Sequence, residues 1–275
     1  MGLFYNNNVA GSGVSKTTGQ KKPFFRFWEL FFSKFWKFFQ INLIYFVFCL
    51  PVVTIGPATA AMTAIMRNFY LERPQFIFHD FKQEFKKNFK QALPIGLLDV
   101  GAIALGVFAI LYYSNTNRPE MDTTTTVLYV LCLVGVALVI MMSFYIYPQI
   151  VALDLKLGQI VRNSLLLIFL NPVGDIITFA CFFGYAALIW FFWLFVVFLT
   201  PIVPFAWLSF ISFFCCYPTI QKVLINPYYE KTGERNPEIP DYIEDAVFTD
   251  LGGKEEPLNL KDKDKGGNQR GKVIK

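Results

Sequence analysis

Residues 165–217 read LLLIFLNPVGDIITFACFFGYAALIWFFWLFVVFLTPIVPFAWLSFISFFCCY. Across this whole stretch Asp175 is the only charged side chain. About 20 consecutive apolar residues, wound as a helix, match the hydrocarbon thickness of a bilayer, so the stretch is too long for one crossing. Asn171-Pro172 and Thr200-Pro-Ile-Val-Pro204 punctuate it, because proline removes a backbone donor and turns the chain. It reads as two spans, about Val173–Leu199 and Phe205–Leu224.

Moving outward, residues 93–113 and 127–153 have the same character, with Asp99 their only charge. They predict spans over about Ala92–Tyr113 and Thr125–Gln149. The whole chain of 275 residues is 55% hydrophobic and 16% charged. Soluble domains carry about 25% charged residues, and nothing here is amphipathic enough to cover so much apolar surface. The fold class is therefore an all-α integral membrane protein. The five cysteines, Cys49, Cys132, Cys181, Cys215 and Cys216, fall in or beside the spans and read as packing residues rather than a disulfide or metal framework.

Before these spans, residues 1–22 form a flexible tail rich in Asn, Gly, Ser and Thr. Lys22, Arg26, Glu29, Ser33, Lys37 and Gln40 then recur at helical spacing opposite a wall of Phe and Trp. A basic stripe facing aromatic rings suits a helix lying in the membrane interface. This helix is expected to run on through Asn42 to Leu50 and to break over Pro51–Pro57, with a second apolar helix from Ala58 to about Tyr70. The pair reads as a full hairpin or a re-entrant one. Phe78, Phe81, Phe85 and Phe89, interleaved with Lys82, Lys86, Lys87 and Lys90, predict a second basic interfacial helix over Phe76–Gln91.

Fifteen basic residues lie in segments assigned to one side, and the opposite connections contain only Arg118. The positive-inside rule then puts both termini in the cytoplasm of a bacterial-type plasma membrane, with about six crossings. The membrane domain covers residues 23–225. Residues 226–275 mix both charges with Pro and Gly, which predicts a disordered cytoplasmic tail. The basic residues flank spans rather than lining a groove, so nucleic acid is not an expected partner; membrane lipids are.

Few residues offer chemistry. Asp99 and Asp175 are the acids inside the hydrocarbon, where carboxylates are costly and often functional, although Asp175 near a helix start also suits the macrodipole. The Thr54-Ile-Gly56-Pro57 break frees backbone carbonyls, as a ligand site requires, and equally suits a tight turn. Asn42, within an aromatic span, is expected to bond a neighbouring helix. The lone histidine, His79, has no nucleophile pattern around it, and no GxxxxGK[ST] loop occurs. No catalytic residue, metal or cofactor is expected, and the chain does not read as an enzyme. Pro94-Ile-Gly96 and Pro172-Val-Gly174 form a faint internal echo.

The run NLIYFVFCLPVVTIGPATAA at Asn42–Ala61, followed by Phe78, Asp80, Phe81, Phe85, Asn88 and Phe89, resembles the YesL-like family of bacterial multi-pass membrane proteins. Members of that family tend to be encoded beside carbohydrate ABC importers and polysaccharide-degrading enzymes. The resemblance implies an accessory role in sugar uptake, with permease subunits of such an importer as partners. An autonomous secondary transporter with its path near Asp99, or a membrane scaffold or regulator, are the alternative readings. The charge asymmetry makes the topology testable: Gln83→Cys on a cysteine-free background should resist a membrane-impermeant thiol reagent added outside intact cells and react once the cells are opened.

Overall fold

A computed structural model describes residues 22–114, 123–192, 204–233 and 236–238, and all of its regular elements are helical. The 1–21 part of the expected flexible tail, the loop around Arg118 and the turn at 200–203 lie outside the described residues. Among the described residues, four helices are long and apolar enough to cross a membrane. They are α4 (Ile77–Ser114), α5 (Thr123–Ala152), α7 (Pro172–Phe191) and the continuous run 204–232, which starts with α8 (Pro204–Ile220). The shorter helices are α1 (Pro23–Ser33), α2 (Phe35–Cys49), α3 (Ile55–Tyr70), α6 (Leu157–Leu170) and α9 (Asn226–Thr232).

Two expectations about the first hundred residues are corrected. The helix expected from Pro23 to Leu50 is split, because Lys34 adopts φ −107° and ψ 9°. Ser33 donates its hydroxyl back to the Leu30 carbonyl at 3.0 Å, the local competition for backbone acceptors that ends helices at serine. The second concerns Phe76–Gln91, which is the first part of the 38-residue α4 rather than a separate interfacial helix. Part of its aromatic face is spent on protein: Phe81 is fully buried, and Phe48 of α2 meets the rings of Phe81 and Phe85 at 5.2 and 4.9 Å, while Phe76 and Phe78 stay exposed. Lys82, Lys86, Lys87 and Lys90 occupy the exposed side. In α1, by contrast, Phe24, Phe25 and Phe32 remain exposed, while Phe27 and Phe31 pack on Phe210, Phe214 and Trp207 of α8.

The break expected over Pro51–Pro57 is narrower than that. A 3₁₀ turn at Val52–Thr54 follows Pro51, and α3 already begins at Ile55. Pro57 falls in the first helical turn, where backbone N–H groups have no intrahelical acceptor and the missing donor costs little. The helices on either side have 15 and 16 residues, or about 22 and 24 Å at 1.5 Å per residue, against about 30 Å of hydrocarbon. In α3 thirteen residues are buried, Gly56 to Ala58 and Ala60 to Arg67 among them, so protein encloses it on nearly every side. It packs chiefly on α4, and also on α5, α8 and α2.

The closest approach is backbone to backbone. A Cβ on Gly96 would lie 2.3 Å from the Gly56 Cα, and one on Gly56 would lie 2.3 Å from the Ala92 carbonyl oxygen. Gly174, its counterpart in the sequence echo, sits instead under the Asn171 side chain, so the two Pro-x-Gly triplets do different work.

Because α2 and α3 are short, α4 and α5 outrun the packed core. In α5 the residues Phe144–Ala152 are buried, whereas Val127, Leu128, Val130, Leu131 and Val134 are exposed. The facing half of α4 exposes Leu98, Leu105, Phe108 and Leu111 in the same way. Within this projecting hairpin Gly106 is filled by Val136, while Gly101 and Gly135 have open space above them. Gly96→Ala should therefore force α3 and α4 apart and cost about 1–3 kcal/mol, as overpacking does. Gly101→Ala should be close to neutral; thermal unfolding of the two variants in mild detergent measures the contrast.

Candidate functional site

Two acids on candidate spans, Asp99 of α4 and Asp175 of α7, converge on the last third of α5 from opposite sides. Ser143 and Tyr147 are four residues apart and share one helix face. Both face α4, where Ser143 donates to Asp99 Oδ1 at 2.7 Å and Tyr147 donates to Oδ2 at 2.7 Å. Tyr145 and Gln149 occupy another face by the same spacing. The Tyr145 hydroxyl donates to Asp175 Oδ1 at 2.7 Å, and the Gln149 amide donates to Ser164 Oγ of α6 at 2.8 Å.

Asp175 is the more deeply placed acid, 3% exposed. It lies in the first turn of α7, where the macrodipole favours an anion. Asn171 caps that helix by accepting from the Gly174 N–H at 3.3 Å. Its amide also donates to the Tyr145 oxygen at 3.2 Å and to the Cys215 carbonyl at 3.0 Å, joining α5, α7 and α8. The Cys216 thiol reaches Asp175 Oδ1 at 3.9 Å, while Oδ2 is enclosed without a hydrogen-bond partner among the described residues. Asp99, half-buried, has both carboxylate oxygens engaged.

The other candidates are dispersed. Asn42 is fully buried on α2 and accepts from the Ala206 N–H at 2.9 Å, which satisfies an orphan donor at the start of α8; the neighbouring-helix bond is the expected one. Thr54 directs its hydroxyl to the Phe48 and Pro51 carbonyls at 2.5 and 2.7 Å, closing the turn. Gly56 and Pro57 are buried where α3 crosses α4. None of these four joins the acids.

A third buried group was not expected. Arg67, the only charge in α3, directs Nε and Nη2 to Glu238 Oε1 at 3.2 and 2.7 Å. Its Nε also donates to the Tyr217 oxygen at 3.0 Å, and Nη1 to the Val151 carbonyl at 3.4 Å. Tyr217 donates its hydroxyl to the same carboxylate oxygen, and Gln221 donates to Oε2 at 2.8 Å. Glu238 belongs to the stretch for which the sequence predicts disorder from residue 226. That expectation fails at its start, since Asn226–Thr232 is helical and Asn236–Glu238 is buried or docked; residues 239–275 lie outside the described residues. The sequence did hold signals for these sites: a lone arginine in an apolar helix, and the alternation Ser143-x-Tyr145-x-Tyr147-x-Gln149 in an otherwise apolar span.

Chemically, the two acids are held by phenolic and hydroxyl donors from α5. Two surface hollows lie away from the acids, one beside Lys37, Gln40 and residues 75–79 and one on the face of α5 from Thr126 to Val134. Tyr145→Phe strips Asp175 of its closest donor in a buried setting and should cost about 1–3 kcal/mol. Tyr147→Phe should cost less, because Asp99 keeps Ser143 and is half-exposed; equilibrium unfolding in mixed micelles compares the pair.

The profile of a family described as "Protein of unknown function, DUF624" matches residues 38–114, the segment from α2 through α4. No curated protein and no solved structure matches the chain. This match, under a third of the length, is to an uncharacterised family, and it covers Asn42, Thr54, Gly56, Pro57 and Asp99 but not Asp175.

Proposed function

We propose that this chain is a YesL-like accessory membrane subunit that binds the permease subunits of a carbohydrate ABC importer in a bacterial plasma membrane. The observation that carries the reading is the projecting α4–α5 hairpin, apolar on most sides and unfilled above Gly101 and Gly135. In lipid, apolar surface alone drives no association, and helices are held by close packing at small residues. A hairpin with two open glycines offers such packing to the spans of another protein. A carrier of polar solutes would instead present several convergent polar groups to an opening. Here Asp99 and Asp175 are met by donors from within the chain, which favours a binding role over autonomous transport.

Orientation follows from the basic residues. In this reading Arg67, Arg73 and the lysines of α4 face the cytoplasm, and both termini lie there. The α2–α3 pair returns the chain to the side it left, as two short crossings in a total of six or as a re-entrant pair. The subunit performs no catalysis of its own and takes no cofactor.

The test is co-expression with the membrane subunits of an importer encoded nearby, purification in mild detergent, and sugar uptake with and without this chain. Co-purification that falls at least tenfold in a Gly101→Leu, Gly135→Leu double variant, with uptake falling in parallel, is the expected result. A chain that purifies alone and whose deletion leaves uptake unchanged ends the proposal.

A further inference from the structure

The Arg67 site is built like a receptor for a carboxylate. Its walls come from three elements: Arg67 on α3, Tyr217 on α8 with Gln221 just beyond it, and the Val151 carbonyl on α5. Three donor groups converge on Glu238 Oε1 and a fourth reaches Oε2. A guanidinium directed at a desolvated carboxylate forms the strong, charge-assisted class of hydrogen bond. The side chains of Arg67 and Glu238 are 7% and 1% exposed, so water competes little.

The acid that fills this site is carried on a short turn at Asn236–Glu238, not on a packed helix. Helix α9 ends at Gly233, whose φ of 69° turns the chain out of helical geometry. Asn236, Pro237 and Glu238 then dock as a peptide would. Arg73 donates to the Pro237 carbonyl at 2.8 Å, Asn236 Oδ1 accepts from the Glu238 N–H at 2.9 Å, and the Asn236 amide reaches Asn226 Oδ1 at 3.3 Å. Apart from these three residues, nothing beyond Gly233 is among the described residues.

We infer that the junction of α3, α5 and α8 is a carboxylate-recognition site for a short acidic peptide, which the chain occupies in cis with Asn236-Pro237-Glu238 as a detachable strap. Removing one partner of a buried ion pair leaves the other charge uncompensated, so attachment hinges on the carboxylate rather than on general packing. The strap spans from α9 to the central helix, and its release would open Arg67 to an acidic segment of another protein.

The experiment uses the full-length chain with a protease site inserted between Gly233 and Asn236, cut after folding and purification in mild detergent. The freed C-terminal fragment should co-elute with the membrane domain. An excess of a synthetic peptide copying residues 234–250 should displace it, and the same peptide with glutamine at position 238 should be at least tenfold weaker. Glu238→Gln in the chain itself should speed fragment release at least tenfold. Immediate loss of the wild-type fragment, retention that no peptide concentration reverses, or equal potency of the two peptides would each overturn the inference. The peptide comparison is made on the native membrane domain, so it does not depend on the folding of any variant.

Discussion

The fold rests on one steric constraint, the contact of two backbones at Gly56 and Gly96. Helix α3 can be enclosed by α2, α4, α5 and α8 because most of its residues from 55 to 66 are Gly, Ala, Thr or Met, and because α4 can lie against it without a side chain between them. In a membrane no hydrophobic gain drives helices together, so closeness of approach is what holds them. A short helix so enclosed also sets the shape of everything around it. Neighbours longer than α3 must continue past the core, which is why α4 and α5 end as a projecting hairpin.

The same enclosure governs the polar groups. Each deeply placed charge meets a tyrosine hydroxyl: Tyr147 for Asp99, Tyr145 for Asp175, and Tyr217 for the Arg67–Glu238 pair. Tyrosine suits this task, since its ring packs as an apolar body while its hydroxyl supplies one directed donor. Where water is absent, such a donor replaces hydration, and a buried polar group without one would be costly. Among these three carboxylates Asp175 Oδ2 is the one oxygen enclosed and unpartnered within the described residues, with the α7 N-terminus as its remaining electrostatic support.

The long spans were legible in the sequence because a lipid-facing helix must be apolar along its whole length. The expected starts at Thr125, Val173 and Phe205 fall within two residues of the observed Thr123, Pro172 and Pro204. What the sequence hid was relation between segments. The Phe81 and Phe85 periodicity describes an amphipathic helix equally well whether its apolar face meets lipid or Phe48 of another helix. Asp99 and Asp175 stood out as charges in hydrocarbon, but their partners lie 44 and 30 residues away from them along the chain, and pairing at that range leaves no local pattern. Glu238 was least legible, since a segment of mixed charge looks disordered until the arginine that receives it is known.

One further feature bears on how the C-terminal region can vary. Between α8 and α9 the residues Gln221–Ile225 wind as a π-helix, immediately before Pro227 in the first turn of α9. Such a wide turn is the geometry of an α-helix that has absorbed an extra residue. Loss of one residue there could restore ordinary helix without shortening the membrane-crossing part of α8. Because the wide turn already takes up that residue, the azimuth of everything downstream would change little, whereas a deletion in unbroken α-helix would rotate it by about 100°. This point is thus where the chain can lose one residue while the segment after Gly233 keeps its azimuth and the bundle that precedes it keeps its register.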